Sequence, residues 1–279
     1  SVGAGNVLGD ILKSGCVPSV RLTDIFRQAE ESLIVVNAHR INHGEPPLLN
    51  RRDSDFFFER KPLPEAAAET IVGLCARRLP AFLHSDSPAR DIQVLAPAKK
   101  AEAGVFSLNA RLQAALNPPA PWKKEIVFGE TVFRTGDKVM HTHNNYQLAW
   151  KTDGGEEGEG VFNGDVGFIS QVDVQDRVVT VRYDDERTVE YDYPQLEELA
   201  LAYCLSVHKS QGSEFPCVVM PVVGGPPRLL TRNLFYTALT RARKLVVLVG
   251  REDCIEAMVR NNHIATRFTT LRQQLAEAE

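Results

Sequence analysis

The sequence of 279 residues has no apolar run approaching the ~20 residues of a membrane-spanning helix. Its opening stretch, SVGAGNVLGDILKSG, has neither the basic nor the apolar segment of a secretory leader, so no leader is expected within it. Cysteine is sparse: five residues, odd in number and widely spaced, with no C-x-x-C pair. That argues against a disulfide framework or a zinc site and fits a reducing cytoplasm. Cys204 and Cys217 lie in apolar runs and read as small core residues. There is no basic excess either; 32 Lys and Arg stand against 36 Asp and Glu, giving a net charge of −4 and a pI near 6.0. This argues against a protein that coats nucleic acid through bulk charge, but not against one that grips a strand through a few local groups. Finally, no G-x-x-x-x-G-K-[S/T] occurs, so these residues lack the loop and lysine that cradle β- and γ-phosphates. Gly3 and Gly5, with no Lys-Ser/Thr behind them, read as a tight turn.

What the sequence does have is concentrated between Leu201 and Gly250. CVVMPVV (217–223) and KLVVLVG (244–250) are continuous apolar runs of strand length, as expected for a parallel sheet covered by helices on both faces. Between them, Asn233 to Arg243 has helical spacing, with Leu234, Thr237, Ala238 and Arg241 on one face. Arg241 is thereby expected to end a packed helical stripe beside the sheet edge, with Arg243 turned away from it in a structural role. Before the first run, SVHKSQGSEF (206–215) packs seven hydrogen-bonding side chains around one glycine, in the kind of loop where α/β sheets bind ligands.

Along the rest of the chain, helices are expected at Val7–Ser14, from about Glu30 to Asn42 (Ser32 as N-cap, Gly44 as stop), at Glu65–Arg78, Ser107–Leu116 and Asp253–Arg260, and in the tail from Ile264. Short strands are expected at Val20–Leu22, over FFFER (56–60) and at Ile92–Pro97. His39 and His43 have metal-binding spacing but no third ligand, and read as exposed polar residues. From about Trp122 the texture turns to β: Glu125–Phe133, Lys138–Thr142, Val166–Val172, Val178–Tyr183 and Thr188–Tyr191, separated by turns at Thr135-Gly-Asp, Asn163-Gly-Asp and Asp184-Asp-Glu. Lys151–Gly160, rich in Gly and acids, is expected to be a mobile loop. VVTVRYDDE (178–186) mimics a metal-binding strand end; its alternation and the strand that resumes after it favour a hairpin turn.

SVHKSQGSEF (206–215) and YTALTRAR (236–243) resemble motifs V and VI of superfamily 1 helicases of the RecD-like branch, and IFRQ (25–28) resembles motif IV. The resemblance implies an α/β fold: a RecA-like parallel sheet with flanking helices, the second motor domain, carrying an inserted small SH3-like β-barrel. The expected division is 1–133 and 194–279 for the motor domain and 134–193 for the barrel. It implies an ATP-dependent 5′→3′ DNA helicase or translocase, a monomeric motor that uses ATP and Mg²⁺, both bound mainly by a first motor domain expected to precede these residues. The 279 residues alone are then expected to be inactive. Single-stranded DNA is the implied partner, DNA-repair proteins are candidate partners, and no membrane is implied.

By the same resemblance, Arg241 is the arginine finger that neutralises charge on the γ-phosphoryl oxygens, and Arg27 makes a second γ-phosphate contact. Gln28 and Gly212 are assigned to the nucleotide, and Glu214 to its sugar. Ser206, His208, Lys209 and Gln211 are assigned to the DNA backbone, as are Lys99 and Lys100 in the loop after Ile92–Pro97. The alternative is a non-catalytic α/β module with an SH3-like barrel that binds nucleic acid or protein. The absent phosphate loop and acidic pI favour it; Arg241, which a binding module does not need, speaks against it.

Overall fold

The computed structural model describes residues 6–20, 32–51, 54–263 and 269–277. Helix α1 (Val7–Ser14) stops at Gly15, whose left-handed φ of 77° suits glycine. Helix α2 (Leu33–His43) stops likewise at Gly44. Its start differs from the expected cap. Ser32 occupies the N-cap position but donates its hydroxyl to Asp55 Oδ2 at 2.5 Å, while Asp55 Oδ1 accepts the Ile34 N–H at 3.2 Å. A carboxylate from the residue just before the next strand therefore caps the helix and favours its positive end. The expected strand at Val20–Leu22 falls mostly outside the described residues.

Strand β1 (Phe56–Arg60) leads to helix α3 (Pro64–Gly73), which continues through a π-turn (Leu74–Arg78) into helix α4 (Leu79–Leu83). A short helix α5 (Pro88–Asp91), strand β2 (Ile92–Ala96) and helix α6 (Val105–Leu116) follow. Next come β3 (Glu125–Phe128), β4 (Thr131–Arg134), β5 (Lys138–His141), β6 (Asn145–Lys151), β7 (Glu157–Val161), β8 (Val166–Asp173), β9 (Val178–Tyr183), β10 (Thr188–Asp192) and β11 (Leu199–Leu201). The chain then returns through β12 (Cys204–Ser206), β13 (Phe215–Val222), helix α7 (Arg232–Leu239), β14 (Ala242–Gly250), and helices α8 (Glu252–Arg260) and α9 (Leu271–Glu277).

Five strands form a wholly parallel sheet in the order β1-β14-β13-β2-β12. The two apolar runs are its centre. Val218, Met220 and Val222 face α2, α7 and α8, while Cys217 and Val219 face α3 and α6. Both faces are dry, which is why these strands do not alternate in polarity.

The β-textured segment forms a second, antiparallel unit, the SH3-like barrel, with strand order β11-β5-β8-β9-β10-β6-β7. It has its own core, including Val139, Ile169, Val181 and Tyr191. Two expectations fail here. The strand expected at Glu125–Phe133 is a hairpin that folds at Gly129, φ 59°. Lys151–Gly160 is not a loop throughout, because Glu157–Val161 pairs with β6. The glycines that disguised this strand make room for aromatic rings. A Cβ at Gly158 would stand 2.5 Å from the Trp150 ring, and one at Gly160 3.1 Å from the Phe162 ring. Asp184 and Asp185 lie in a hairpin turn and pair with Arg90 and Arg187.

The seam between the two sheets buries polar side chains. Asp137 is fully buried and accepts four hydrogen bonds: from Asn117 at 2.7 Å and Tyr203 at 3.0 Å on one oxygen, and from Gln113 at 2.6 Å and the Arg134 N–H at 2.7 Å on the other. Burial raises its pKa against the pull of these donors. Beside it, Lys138 is 2% exposed and donates to Gln93 Oε1 at 2.9 Å. Desolvation lowers the Lys138 pKa from 10.5 to about 8.

The sign of the Lys138 shift sets a test. Between pH 8 and 10.5 the unfolded chain holds a proton that the folded chain has released, so stability rises with pH across that window and is lost as pH falls toward 8. In chemical denaturation, wild type should gain on Lys138→Met from pH 8 to pH 10 by up to ~1.4 kcal/mol per pH unit. Parallel pH profiles for the two proteins would refute the assignment.

Candidate functional site

One loop, Val207–Glu214, connects β12 to β13 and holds five of the sequence-assigned residues: His208, Lys209, Gln211, Gly212 and Glu214. Because β12, β2, β13 and β14 are parallel, its two ends serve opposite ends of the sheet. Ser206 lies level with Ala96 at the carboxyl ends of β12 and β2, whereas Phe215 lies level with Ala242 at the amino ends of β13 and β14. The loop begins with a 3-10 turn (Val207–Ser210), closed by the buried Ser210 hydroxyl donating to Val207 O at 2.8 Å. It then turns at Gly212, φ 88°. A Cβ there would meet no atom within 4 Å, so glycine is needed for the left-handed backbone and not for space.

The first end is basic. Lys99 and Lys100 are exposed just beyond β2, and His208 and Gln211 are exposed on the loop. Lys209 reaches across to the barrel, donating to Thr142 O at 3.3 Å and to Asn163 Oδ1. Burial, with Lys99 nearby, holds its ammonium below the usual lysine range. Phe162 precedes Asn163, and its ring meets that of Tyr146 edge-on at 5.6 Å; both are exposed. The second end carries Gly212, Ser213 and Glu214. Glu214 accepts from Arg243 Nε at 2.6 Å. Arg241 Nη1 donates to Ser213 O at 3.1 Å, and the Phe215 N–H donates to Arg241 O at 2.8 Å.

Arg241 is not on a helix, contrary to the expected helical spacing of Asn233–Arg243. Helix α7 is capped by Thr231, whose hydroxyl oxygen accepts the Leu234 N–H, and it ends at Leu239. Thr240 folds its hydroxyl back onto Tyr236 O at 3.0 Å, and β14 begins at Ala242. The pairing of Leu245–Gly250 with the central strand β13 draws the chain into the sheet and overrides the helical spacing. Arg241 occupies the junction, its Nε on Thr237 O at 3.2 Å and its Nη2 on Thr240 Oγ1 at 3.3 Å. Arg243 stands on the strand as the partner of Glu214, so the two arginines separate by strand geometry and not around a helix.

The structure thus brings Gly212, Glu214 and Arg241 together at one end and Ser206, His208, Lys209, Lys99 and Lys100 at the other. Arg27 and Gln28 lie outside the described residues. Arg243 was missed as the group orienting Glu214, because helical phase hid their pairing. Thr142 and Asn163 were missed as the seat of Lys209; Asn163-Gly-Asp signals a turn, and no local signal says what the turn faces. A cleft of about 500 Å³ lies between the barrel and the parallel-sheet unit, lined by Lys138, Asp165, Asp184 and Arg187 of the barrel and by Arg90, Ser213 and Glu214 of the parallel-sheet unit.

Residues 108–183 match the family model described as the ATP-dependent RecD-like DNA helicase SH3 domain, and residues 201–249 match that of the UvrD-like helicase C-terminal domain. The ATP-dependent RecD2 DNA helicase of Deinococcus radiodurans is 34% identical over 226 residues, which is 81% of this chain and 28% of that protein. The RecBCD enzyme subunit RecD of Mycobacterium tuberculosis is 27% identical over 290 aligned positions, 99% of this chain and 46% of that one. The chain therefore spans less than half the length of these curated relatives. A crystal structure of a Bacteroides Pif1 helicase in complex with ADP-AlF3 and single-stranded DNA shares the fold, with a TM-score of 0.50 at 19% identity over 86% of this chain and 53% of that one.

The backbone at Gly212 is directly testable. Gly212→Ala should cost ~1–2 kcal/mol of stability, the penalty of a left-handed L-residue, read from chemical denaturation. A neutral substitution would mean the loop relaxes without strain.

Proposed function

Because this chain belongs to the RecD-like superfamily 1 DNA helicases and carries their C-terminal motor half, we propose that it serves in the intact protein as the second motor domain of an ATP-dependent 5′→3′ helicase on single-stranded DNA. The observation that carries this reading is the bond from Arg241 to Ser213 O, 3.1 Å, which ties the finger to the loop whose other end is basic. The polarity rests on the family resemblance alone, as do a monomeric motor and a role in DNA repair.

ATP, with Mg²⁺, supplies the phosphoryl bond whose cleavage drives the motor. No phosphate loop occurs in these 279 residues, so a first motor domain outside them would hold the phosphates, and these residues alone would not turn over. Arg241 would reach that site from the facing domain. Three of its five N–H groups are engaged with Thr237, Ser213 and Thr240, which leaves two for phosphate oxygens. Glu214, oriented by Arg243, would accept from a sugar hydroxyl. Arg27 and Gln28 are proposed beside them.

On the DNA side, Lys99, Lys100 and Lys209 would neutralise phosphates, with Ser206, His208 and Gln211 as hydrogen-bonding partners. Tyr146 and Phe162, exposed beside the seat of Lys209, offer ring faces for unpaired bases. Alternating closure on the first domain, with both gripping DNA, would give stepping.

In the intact protein, Arg241→Ala should lower DNA-stimulated ATP turnover ~10³-fold or more while leaving affinity for single-stranded DNA nearly unchanged. A uniform affinity loss with turnover intact would instead favour a binding module. Tyr146→Ala should weaken oligo(dT) binding by ~1–3 kcal/mol, measured by fluorescence anisotropy. Unchanged binding would remove the barrel's aromatic pair from the DNA path.

A further inference from the structure

Lys138 is a residue that neither the catalytic nor the DNA-binding assignments use. It is the first residue of β5, on the barrel, yet its side chain points into the motor domain. Its ammonium donates to Gln93 Oε1 at 2.9 Å and lies 5.8 Å from the centre of the Phe215 ring. Gln93 Nε2 in turn donates to Ala202 O and Tyr203 O, each at 3.1 Å. The Ala202 N–H donates to Lys138 O at 2.9 Å. One residue of the barrel therefore holds both flanks of the loop Val207–Glu214: the segment that feeds β12 before it, and the first residue of β13 after it.

Stability does not account for this choice of residue. A methionine of similar length would fill the space without the cost of burying an ammonium whose one hydrogen-bond acceptor is an amide oxygen. The neighbouring Asp137 adds a second hold on the same flank through the Tyr203 hydroxyl, at 3.0 Å. At the loop itself, Lys209 touches Thr142 and Asn163 of the barrel. A shift of the barrel would thus displace the loop at its start, its middle and its end together.

We propose that Lys138 is a positioning residue that transmits the placement of the barrel to the loop Val207–Glu214, and thereby couples DNA engagement to turnover. This rests on the motor reading above. It assigns to the barrel a role in setting the geometry of Gly212 and Glu214, at the far end of the loop from the basic cluster.

The test uses the intact protein, with ATP turnover measured with and without oligo(dT). Lys138→Met should keep basal turnover within about twofold and lower the DNA-stimulated kcat about tenfold, within the ~5–150-fold range of ordinary coupling energies. Lys138→Arg, which keeps a charged donor, should retain more of the stimulation. Tyr203→Phe removes only the hydroxyl link to Asp137 and should also lower stimulation; it serves as the test if Lys138→Met does not fold. Folded Lys138→Met and Tyr203→Phe proteins with wild-type stimulation would overturn the proposal. Basal and stimulated turnover falling in equal proportion, together with a lower Tm, would also overturn it by making Lys138 a purely structural residue. Wild type without DNA-stimulated turnover would overturn the motor reading, and the proposal with it.

Discussion

Ala202 and Tyr203 stand where a strand of one sheet becomes a strand of the other. Leu199–Leu201 pairs antiparallel with β5 of the barrel, and Cys204–Ser206 pairs parallel with β2 of the motor domain. Two buried residues make the change of partner, and a buried chain cannot leave its peptide groups unpaired. The surrounding polar side chains meet that demand. Gln93 takes the carbonyls of Ala202 and Tyr203, Lys138 O takes the Ala202 N–H, and Asn109 brackets Cys204 with bonds of 2.8 and 2.9 Å to its carbonyl and N–H. An unpaired group at this depth would cost ~1–3 kcal/mol. The seam is therefore specified by several partners at once, and the loop that follows it starts from a fixed point.

From that point the rest of the site follows by geometry. A parallel sheet places successive strands with their amino ends together, so the chain must travel the length of the sheet between β12 and β13. The loop Val207–Glu214 makes that journey and consequently has one end beside the barrel and the other beside Arg241. A single short segment thus carries the residues proposed for DNA and those proposed for the nucleotide in sequence order. That layout suits a motor in which one site must sense the other, since coupling needs a continuous element that both can bias.

Much of this was legible in the chain. β9 and β1 have the bounds that alternation and the FFFER run indicate, and the two apolar runs are the central strands of the sheet. Gly44 stops its helix by local chemistry alone. These features depend on neighbours in sequence, so sequence displays them. The misreadings have a different origin. Lys151–Gly160 looked like a loop because its glycines and glutamates carry no strand signal, while the reason for the glycines is the Trp150 ring on the paired strand. Asn233–Arg243 looked like one helix because helical spacing persists past Leu239, while the pull of β13 on Leu245–Gly250 ends it early.

Sequence by itself determined the fold class, the helicase-like motifs and the residue types at each end of the loop, because periodicity, turn chemistry and motif spacing are properties of the local chain. Only the tertiary structure decided which residues meet: Arg243 with Glu214, Lys209 with Asn163, and Lys138 with Gln93 and Phe215. These pairs lie 29, 46 and 45 residues apart for the three hydrogen-bonded contacts, and no local signal specifies them. Strand register and the path of the loop bring the first two pairs together at the surface, while burial leaves the Lys138 ammonium dependent on Gln93, and those constraints are written only in three dimensions.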